Sequence, residues 1–258
     1  MKKILIISVL AVTFTSLMIG CKKELKLEAG IRPVDTQNRA LLKIVNASAY
    51  TVIDSVQLKI DDIRVSNSIR YTTPFPGGGL NTGGSNFPWY LDVNPGAINI
   101  SFTVPKKWTN FDSLHLFSTT VNLEAGKYYT LYTADTSIKT QTVLVTENMT
   151  PVPNGVSRFK FVNLMPNLPA LDLYFADQLV VSNVAYKSVS PEFTIASGTI
   201  GKWAIRRAGD PSTSAAIVTY PTGTTNQTIP NRTNFSVFSR GYNGAASNRA
   251  PNISLLYN

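Results

Sequence analysis

The chain has 258 residues, among them 24 lysines and arginines, 15 aspartates and glutamates, one cysteine and one histidine. The single cysteine excludes an intramolecular disulfide framework and a thiolate-rich zinc site, and the single histidine excludes a metal centre of several histidines. A charged fraction of 15%, a hydrophobic fraction of 43%, 16 glycines and 15 prolines are typical of a folded all-β chain and not of a disordered polyelectrolyte.

An apolar leader opens the sequence. Two lysines precede the apolar run Ile4–Ile19, which has the length of a signal-peptide core and is shorter than a typical membrane span. The run ends in Leu17-Met18-Ile19-Gly20-Cys21, which resembles the lipobox of bacterial lipoproteins. The resemblance implies that residues 1–20 are a lipoprotein signal peptide and that Cys21 is acylated, with palmitate as the expected lipid. The alternative is an incidental cysteine behind an ordinary signal peptide.

Residues 21–39 are predicted to form a polar, lipidated tether. Lys22 follows the cysteine at the position where many Gram-negative lipoproteins of the inner membrane carry aspartate, so we expect the outer membrane. The run Lys22-Lys23-Glu24 also resembles, in part, the surface-export signals of Bacteroidetes lipoproteins. The periplasmic and the surface-exposed face of the outer membrane remain open alternatives.

Three short matches in constant order indicate an internal repeat. Lys43–Asn46 matches Lys160–Asn163, Val65–Asn67 matches Val181–Asn183, and Leu91–Gly96 parallels Phe193–Gly198. The smaller offset of the last match reflects an insertion in the first copy, the Gly-rich stretch 74–86. A Pro/Gly cluster at 150–155 suits a linker, so the sequence predicts two tandem domains at residues 40–150 and 151–258.

Short runs of β-branched and aromatic residues, several alternating apolar with polar, predict strands with one buried face. In the first domain the predicted strands are Ala40–Asn46, Ser55–Ile60, Trp89–Val93, Ala97–Val104, His115–Leu123, Tyr128–Thr133 and Thr140–Thr146. In the second they are Arg158–Asn163, Leu171–Phe175, Leu179–Ser182, Glu192–Ile195, Lys202–Arg206, Ala215–Tyr220, Phe235–Ser239 and Ile253–Tyr257. This density of strands predicts an all-β fold of two tandem antiparallel β-sandwiches, Ig-like or transthyretin-like.

Segments of the second repeat resemble a known family. Ser157–Asn163, Leu171–Phe175 and Leu179–Pro191 follow the pattern of the domain of unknown function 4397, which has a Val-rich strand ending in Asn or His, an Asp-Val-Tyr-like strand and an Asn-Val-Tyr-Ser-Tyr-like segment. The resemblance covers residues 157–208, and the first repeat has Ser68–Tyr71 in place of the last segment. It implies tandem β-sandwich modules on exported proteins, often lipoproteins, and no catalytic residues.

We find no residue pattern that points to catalysis, a metal ion or a cofactor. His115 lies in an alternating strand, and the sequence has no Ser-containing nucleophile elbow. Asp61-Asp62 offers oxygen ligands to calcium, but a hairpin turn between two strands also favours aspartate. Asn46 and Asn163 end equivalent strands, which indicates a shared structural role in bonding a turn. We therefore expect a non-enzymatic protein with no metal and no cofactor.

The Gly-rich stretch 77–84 lacks the Gly-Lys-Ser/Thr ending of a phosphate-binding loop, and we expect a mobile insertion flanked by aromatic residues. Because aromatic faces stack on sugar rings, the candidate ligand-binding residues are Tyr71, Phe75, Phe87, Trp89, Tyr90 and Trp108. Core packing of Trp89 and Tyr90 is the alternative. Asp54-Ser55-Val56 and Asp112-Ser113-Leu114 resemble Bacteroidetes O-glycosylation acceptors, which marks Ser55 and Ser113 as candidate glycosylation sites.

The formal net charge of +9 is unevenly distributed. It amounts to +4 in residues 1–39, zero in residues 40–150 and +5 in residues 151–258, with no basic stripe of the kind that binds nucleic acid. We therefore expect a protein held at the outer membrane by Cys21 that acts as a binding or adhesion module, without a nucleic-acid partner. The alternatives are a glycan-binding accessory of a polysaccharide uptake system and a structural spacer within an envelope complex.

Overall fold

Short β-strands make up nearly all the regular structure of the described residues. The computed structural model describes residues 36–49, 55–106, 109, 111–135 and 140–258. The strands of the first half are β1 (Ala40–Val45), β2 (Ser55–Ile60), β3 (Ile63–Arg64), β4 (Ile69–Arg70), β5 (Pro74–Phe75), β6 (Gly79–Leu80), β7 (Leu91–Val93), β8 (Gly96–Pro105), β9 (Asp112–Leu123), β10 (Tyr128–Ala134) and β11 (Gln141–Glu147). Those of the second half are β12 (Val156–Asn163), β13 (Ala170–Phe175), β14 (Gln178–Ala185), β15 (Phe193–Ala196), β16 (Ile200–Gly201), β17 (Trp203–Arg207), β18 (Val218–Tyr220), β19 (Gln227–Thr228), β20 (Asn234–Arg240) and β21 (Asn252–Tyr257). A three-residue 3-10 turn, Ser247–Arg249, precedes β21.

The all-β prediction is confirmed. Every strand predicted from the sequence is present, and each of its ends lies within three residues of the predicted position. The additional strands β3, β4, β5, β6, β16 and β19 have two residues each. A pair of residues is too short to carry an alternating pattern, so these strands left no signal in the sequence.

Four larger sheets form two sandwiches. The first half has an outer sheet in the order β3-β2-β8-β9, with β4 also beside β2, and an inner sheet in the order β11-β10-β1-β5, with β7 also beside β1. The second half has an outer sheet, β14-β13-β17-β18, and an inner sheet, β15-β12-β20-β21-β6, while β16 pairs with β19. Each outer sheet packs on the inner sheet of its own half and encloses an apolar core.

The two inner sheets also pack on each other. A third apolar cluster combines Val45, Ala47, Tyr132, Ala134, Val143 and Val145 from the first half with Val162, Leu164, Phe238 and Leu256 from the second. At its centre the rings of Tyr132 and Phe238 lie 5.5 Å apart between centroids. The described residues therefore form one compact unit of four β-layers, and we call this inner contact the junction.

The residues of β1 and β12 explain why both strands can lie between two cores. Leu42 and Ile44 of β1 point into the first sandwich core, so the alternate residue Val45 faces the junction. Phe159 and Phe161 of β12 point into the second core in the same way, and Val162 faces the junction. All six residues of β1 are buried, as expected for a strand covered on both faces.

Among the described strands, each half contains one parallel pair, and the other pairs are antiparallel. β1 runs parallel to β10, and β12 runs parallel to β20. The sequence predicted antiparallel sandwiches, which holds for the remaining strand pairs. The difference arises because β1 and β10 are not joined by a hairpin, since the chain crosses to the outer sheet and back between them. After such a crossover the chain can re-enter the inner sheet with β10 parallel to β1.

The Gly-rich insertion crosses from one half to the other and pairs with a strand of each. We call residues 74–90 the crossing segment. Its β5 pairs with β1 of the first half, whereas its β6 pairs with β21 of the second half. A Cβ atom on Gly79 would lie 1.7 Å from the carbonyl oxygen of Leu255. Glycine is needed here for the close approach of two backbones and not for mobility.

A two-residue hairpin turn joins β2 to β3 in the first half, and another joins β13 to β14 in the second. Asp61 and Asp62 have φ values of 48° and 64°, and Ala176 and Asp177 have φ values of 48° and 61°. Two consecutive residues with positive φ form the type I′ turn that suits the twist of a two-residue hairpin. The predicted turn at Asp61-Asp62 is confirmed, and aspartate is among the residues that tolerate this backbone region.

The last residues of the predicted tether belong to the folded unit. The guanidinium of Arg39 forms an ion pair with Asp92, and the carbonyl of Arg39 accepts a hydrogen bond of 2.9 Å from the Gly126 amide. The predicted signal peptide and Cys21 lie outside the described residues. Within the described ranges no helix is long and apolar enough to cross a membrane.

Candidate functional site

Two aromatic side chains of the crossing segment are open to solvent. Phe87 and Trp89 are 56% and 54% exposed. Their rings stack with 5.2 Å between centroids and 19° between planes. A single exposed apolar side chain is ordinary on a protein surface, but a stacked pair presents a larger apolar area of fixed shape. We call Phe87 and Trp89 the aromatic platform.

Backbone contacts hold the aromatic platform in place. The amide of Gly78 donates to the carbonyl of Phe87 at 3.1 Å, and the amide of Trp89 donates to the same carbonyl at 2.9 Å. A Cβ atom on Gly77 would lie 2.8 Å from the Phe87 carbonyl oxygen, so glycine permits this close packing. Pro88, between the two aromatic residues, lines a cavity of about 250 Å³ whose other walls include residues 149–152 and 232–234. The residue between the two platform aromatics therefore borders this cavity.

Two of the predicted ligand-binding aromatics are half-buried and packed against other side chains. The ring of Tyr90 meets that of Tyr128 edge-on at 5.1 Å between centroids, and Nζ of Lys43 lies 4.3 Å from the Tyr90 ring centroid. Burial raises the pKa of Tyr90, and the charge of Glu147 adds to the shift. Phe75 lies in β5 and packs against the core of the first sandwich. Neither side chain is as exposed as Phe87 or Trp89.

Tyr71 was expected at the surface, but it is 8% exposed and lines a cavity between the halves. The guanidinium carbons of Arg249 and Arg240 lie 4.0 Å and 5.8 Å from its ring centroid. Burial raises the pKa of the Tyr71 phenol, while the positive charges of Arg240 and Arg249 act in the opposite direction. Trp108, the remaining candidate, lies outside the described residues.

Two lysines at matching positions of the repeat are buried in the junction. Lys43 of β1 donates to the carbonyl of Tyr257 in β21. Lys160 of β12 donates to the carbonyl of Thr146 in β11 at 3.3 Å. Each lysine therefore bonds the last strand of the opposite half. The sequence did not reveal this burial, because a lysine that alternates with core residues usually marks the solvent face of a strand.

Glu147 is the acidic partner in the junction. Its Oε2 lies 2.7 Å from Nζ of Lys160 with both side chains buried, and Nδ2 of Asn258 donates to the same oxygen at 3.1 Å. Glu147 and Asn258 hold matching positions in the two halves. Each comes directly after the residue whose carbonyl accepts a hydrogen bond from a buried lysine. Burial lowers the pKa of Lys43 to about 8, and the negative charge of Glu147 opposes this shift.

The two asparagines that end matching strands have the structural role that the sequence indicated. Oδ1 of Asn163 accepts from the Ser239 hydroxyl at 3.0 Å, and Oδ1 of Asn46 accepts from the Thr133 hydroxyl at 3.4 Å. The next residue in each half then donates its amide to that hydroxyl: Ala47 to Thr133 at 3.0 Å, and Leu164 to Ser239 at 3.1 Å. These bonds stabilise the chain where it leaves the inner sheet.

The remaining sequence candidates are placed apart from one another. His115 is exposed in β9, and its Nε2 lies 2.6 Å from the Ser118 hydroxyl. No group of three histidine, cysteine, aspartate or glutamate residues within the described ranges has the arrangement of a metal site. Ser55 is half-buried where β2 begins, whereas Ser113 lies in β9 with a side chain outside the described part of the structure.

A family model described as Domain of unknown function (DUF4397) matches residues 40–174, just over half of the chain. The chain belongs to this family. The DUF4397 match begins at the first residue of β1, where the sequence predicted the start of the first domain, and it ends within β13. It therefore includes the first sandwich, whereas the resemblance seen in the residues lay at 157–208. No curated protein matches the chain.

Proposed function

We propose that this DUF4397 protein is a non-enzymatic, exported lipoprotein of Bacteroidetes type that acts as a binding module at the outer membrane. The lipobox-like sequence ending in Cys21 supports the lipid anchor, and Lys22 supports the outer membrane. A single structural observation carries the binding role, namely the exposed, stacked Phe87–Trp89 pair held by the crossing segment. The proposal places the ligand on this aromatic platform.

Sugar rings suit the chemistry of the aromatic platform. The apolar C–H face of a pyranose packs on an indole or phenyl face, and the hydroxyl groups at the ring edge stay in contact with water or polar side chains. Arg232, Thr233 and Asn234 line the adjacent cavity and offer hydrogen bonds to those hydroxyls. We therefore propose a glycan as the ligand, as in an adhesin or an accessory of polysaccharide uptake.

Glycan arrays followed by titration calorimetry on the full chain in detergent test this proposal. Trp89→Ala is expected to weaken glycan binding by at least about tenfold, because a stacked aromatic at the centre of a site contributes more than about 1.4 kcal/mol. Phe111→Ala is the matched control, since Phe111 is 75% exposed and lies outside the crossing segment. Equal losses in the two variants, or no glycan bound at millimolar concentration, would refute a glycan-binding platform.

We also propose that the chain holds two tandem copies of the DUF4397 domain, at residues 40–150 and 151–258. Matching side chains make matching contacts in support of this: Asn46 and Thr133 in one half correspond to Asn163 and Ser239 in the other. The strands also correspond, since β7 lies beside β1 as β15 lies beside β12.

A structural spacer within an envelope complex is the second candidate function. The observation that favours it is the junction, which joins both sandwiches into one unit. Affinity purification from solubilised envelopes distinguishes the two functions, because a spacer is expected to bring down a defined set of envelope proteins and to retain them in Trp89→Ala.

Mass spectrometry of protein from the native host tests the proposed modifications. The mature chain is expected to begin at Cys21 and to carry acyl chains, and Cys21→Ser is expected to leave the membrane fraction because it has no thiol to receive the lipid anchor. Additional mass on peptides containing Ser55 or Ser113 would identify O-glycosylation. An intact mass explained by lipid alone removes the glycosylation proposal.

A further inference from the structure

A second cavity, of about 440 Å³, lies between the two halves and is separate from the aromatic platform. Its wall from the first half includes Arg70 and Tyr71, and its wall from the second half includes Arg240 and Asn248. Pockets for small molecules span about 300–1,000 Å³. We infer that this cavity binds an acidic sugar of the hexuronate class, with its carboxylate on the arginines and its hydroxyl groups on the polar walls.

Two guanidinium groups give the cavity its positive charge. Arg240 is 6% exposed, whereas Arg70 is open to solvent at the cavity wall. Neither arginine forms an ion pair with a carboxylate of the described residues, and no described residue that lines the cavity is acidic. A carboxylate ligand would therefore meet positive charge without competition from the described walls, and a guanidinium can bind it through two parallel hydrogen bonds.

Arg240 is held in a fixed orientation before any ligand arrives. Its Nε donates to the Ser254 hydroxyl at 2.8 Å, and one terminal nitrogen donates to the carbonyl of Asn81 in the crossing segment at 3.2 Å. These two bonds fix the plane of the guanidinium. A side chain that is already ordered loses little conformational entropy on binding, which favours a ligand that matches its geometry.

The other walls favour a sugar over a simple carboxylate. Ser55 and Thr72 offer hydroxyl groups, and Asn248 and Asn252 offer amides. Such groups both donate and accept hydrogen bonds, as the hydroxyl groups of a sugar ring require. Acetate bound to the arginines has no further polar group, whereas a hexuronate bound there can also bond these four side chains through its hydroxyl groups. The cavity therefore has the positive charge, the hydrogen-bonding groups and the size for one acidic sugar residue.

Isothermal titration calorimetry on the full chain in detergent tests the inference with three probes. Galacturonate is expected to bind, galactose to give no heat of binding, and acetate to bind at least about tenfold more weakly than galacturonate. Arg70→Gln is expected to weaken galacturonate at least about tenfold, because it removes one charge-assisted partner. Arg207→Gln is the matched control, since Arg207 is an exposed arginine of β17 that does not line the cavity.

The outcomes are distinct. No galacturonate binding, or equal losses in Arg70→Gln and Arg207→Gln, overturns the inference. Acetate binding as tightly as galacturonate overturns the sugar assignment and leaves a carboxylate site. Should Arg70→Gln lose its native circular dichroism spectrum, Asn248→Ala takes its place, with an expected loss of several-fold. Because the cavity is separate from the aromatic platform, Trp89→Ala is expected to leave galacturonate binding unchanged.

Discussion

Glu147 is a buried carboxylate whose partner Lys160 is buried in the junction with it. Its carboxylate is buried against Lys160 and accepts from Asn258, so a neutral replacement leaves a buried lysine with weaker partners. We expect Glu147→Gln to lower the free energy of unfolding by about 3–5 kcal/mol. The double variant Glu147→Gln with Lys160→Met is expected to regain most of this loss, because neither charge then remains buried.

Urea denaturation of the four proteins of this mutant cycle measures the coupling energy. The control is Glu124→Gln, because Glu124 pairs with Lys127 at the surface with side chains 65% and 48% exposed. An exposed pair contributes at most about 1 kcal/mol. A similar loss in Glu124→Gln and Glu147→Gln would contradict the role assigned to the junction.

Lys43 makes stability depend on pH in the alkaline range. Burial lowers its pKa to about 8, from the ordinary lysine value of 10.5 that applies to the unfolded chain. Between these values the unfolded chain binds a proton that the folded chain has released, so the free energy of unfolding rises with pH. From about pH 7.5 to about pH 9.5 we expect wild type to gain on the order of 2 kcal/mol relative to Lys43→Met. Urea denaturation at both pH values measures this difference, and parallel pH profiles for the two proteins would contradict the expectation.

At the level of elements, the crossing segment depends on Gly79. In Gly79→Ala the new methyl group would overlap the Leu255 carbonyl, so β6 must move away from β21. We expect a loss of about 3 kcal/mol and faster hydrogen exchange at the Tyr257 amide, which donates to the carbonyl of Gly78 at 3.3 Å.

Gly96→Ala is the control for the crossing segment. Gly96 has a φ of 105° and open space around its Cβ position, so alanine there costs backbone strain without a steric overlap. It is expected to leave exchange at Tyr257 unchanged. Equal acceleration of exchange in both variants would show that the effect is global destabilisation and not release of β6.

The sequence predicted the longer strands well because each of them has a local pattern, which the two-residue strands are too short to carry. Leu42 and Ile44, or Phe159 and Phe161, alternate with residues of the opposite face, and this period of two is visible in the residues alone. The repeat also located the matching strands β1 and β12. The pairing of the crossing segment could not be predicted, because its partner β21 is far away in the sequence. The sequence also does not distinguish a glycine required for close packing from a glycine in a flexible loop.

The candidate site was predicted in part. Phe87 and Trp89 were identified as aromatics of the insertion, but the period-two pattern also allowed Trp89 to point into a core. The burial of Tyr71 and the assembly of its cavity depend on Arg240 and Asn248, which come from the other half of the chain. Contacts between residues so distant in sequence follow from tertiary packing and leave no local pattern.

For the whole molecule, we expect a single unfolding transition. The junction cluster and the β6–β21 pair join the two sandwiches, so neither half can unfold without exposing apolar surface of the other. Differential scanning calorimetry is expected to show equal calorimetric and van't Hoff enthalpies. Two resolved transitions would contradict this expectation.

Phe238→Ala extends the test of cooperativity. Phe238 is fully buried in the junction, so its truncation is expected to cost about 3–5 kcal/mol and to lower the midpoint of the one transition. If the junction instead contributes little, this variant will unfold at the wild-type temperature. Ile63→Ala serves as the control, because Ile63 is 69% exposed in the outer sheet.

The lysine contacts of the junction have a consequence for relatives with one sandwich. Lys43 bonds β21 of the second half and Lys160 bonds β11 of the first, so the same contact occurs twice with the roles of the halves exchanged. Such reciprocity is the signature of an isologous two-fold interface between identical subunits. A single sandwich with this face would expose a lysine and an apolar patch that complement themselves, and it would associate as a homodimer of the same shape.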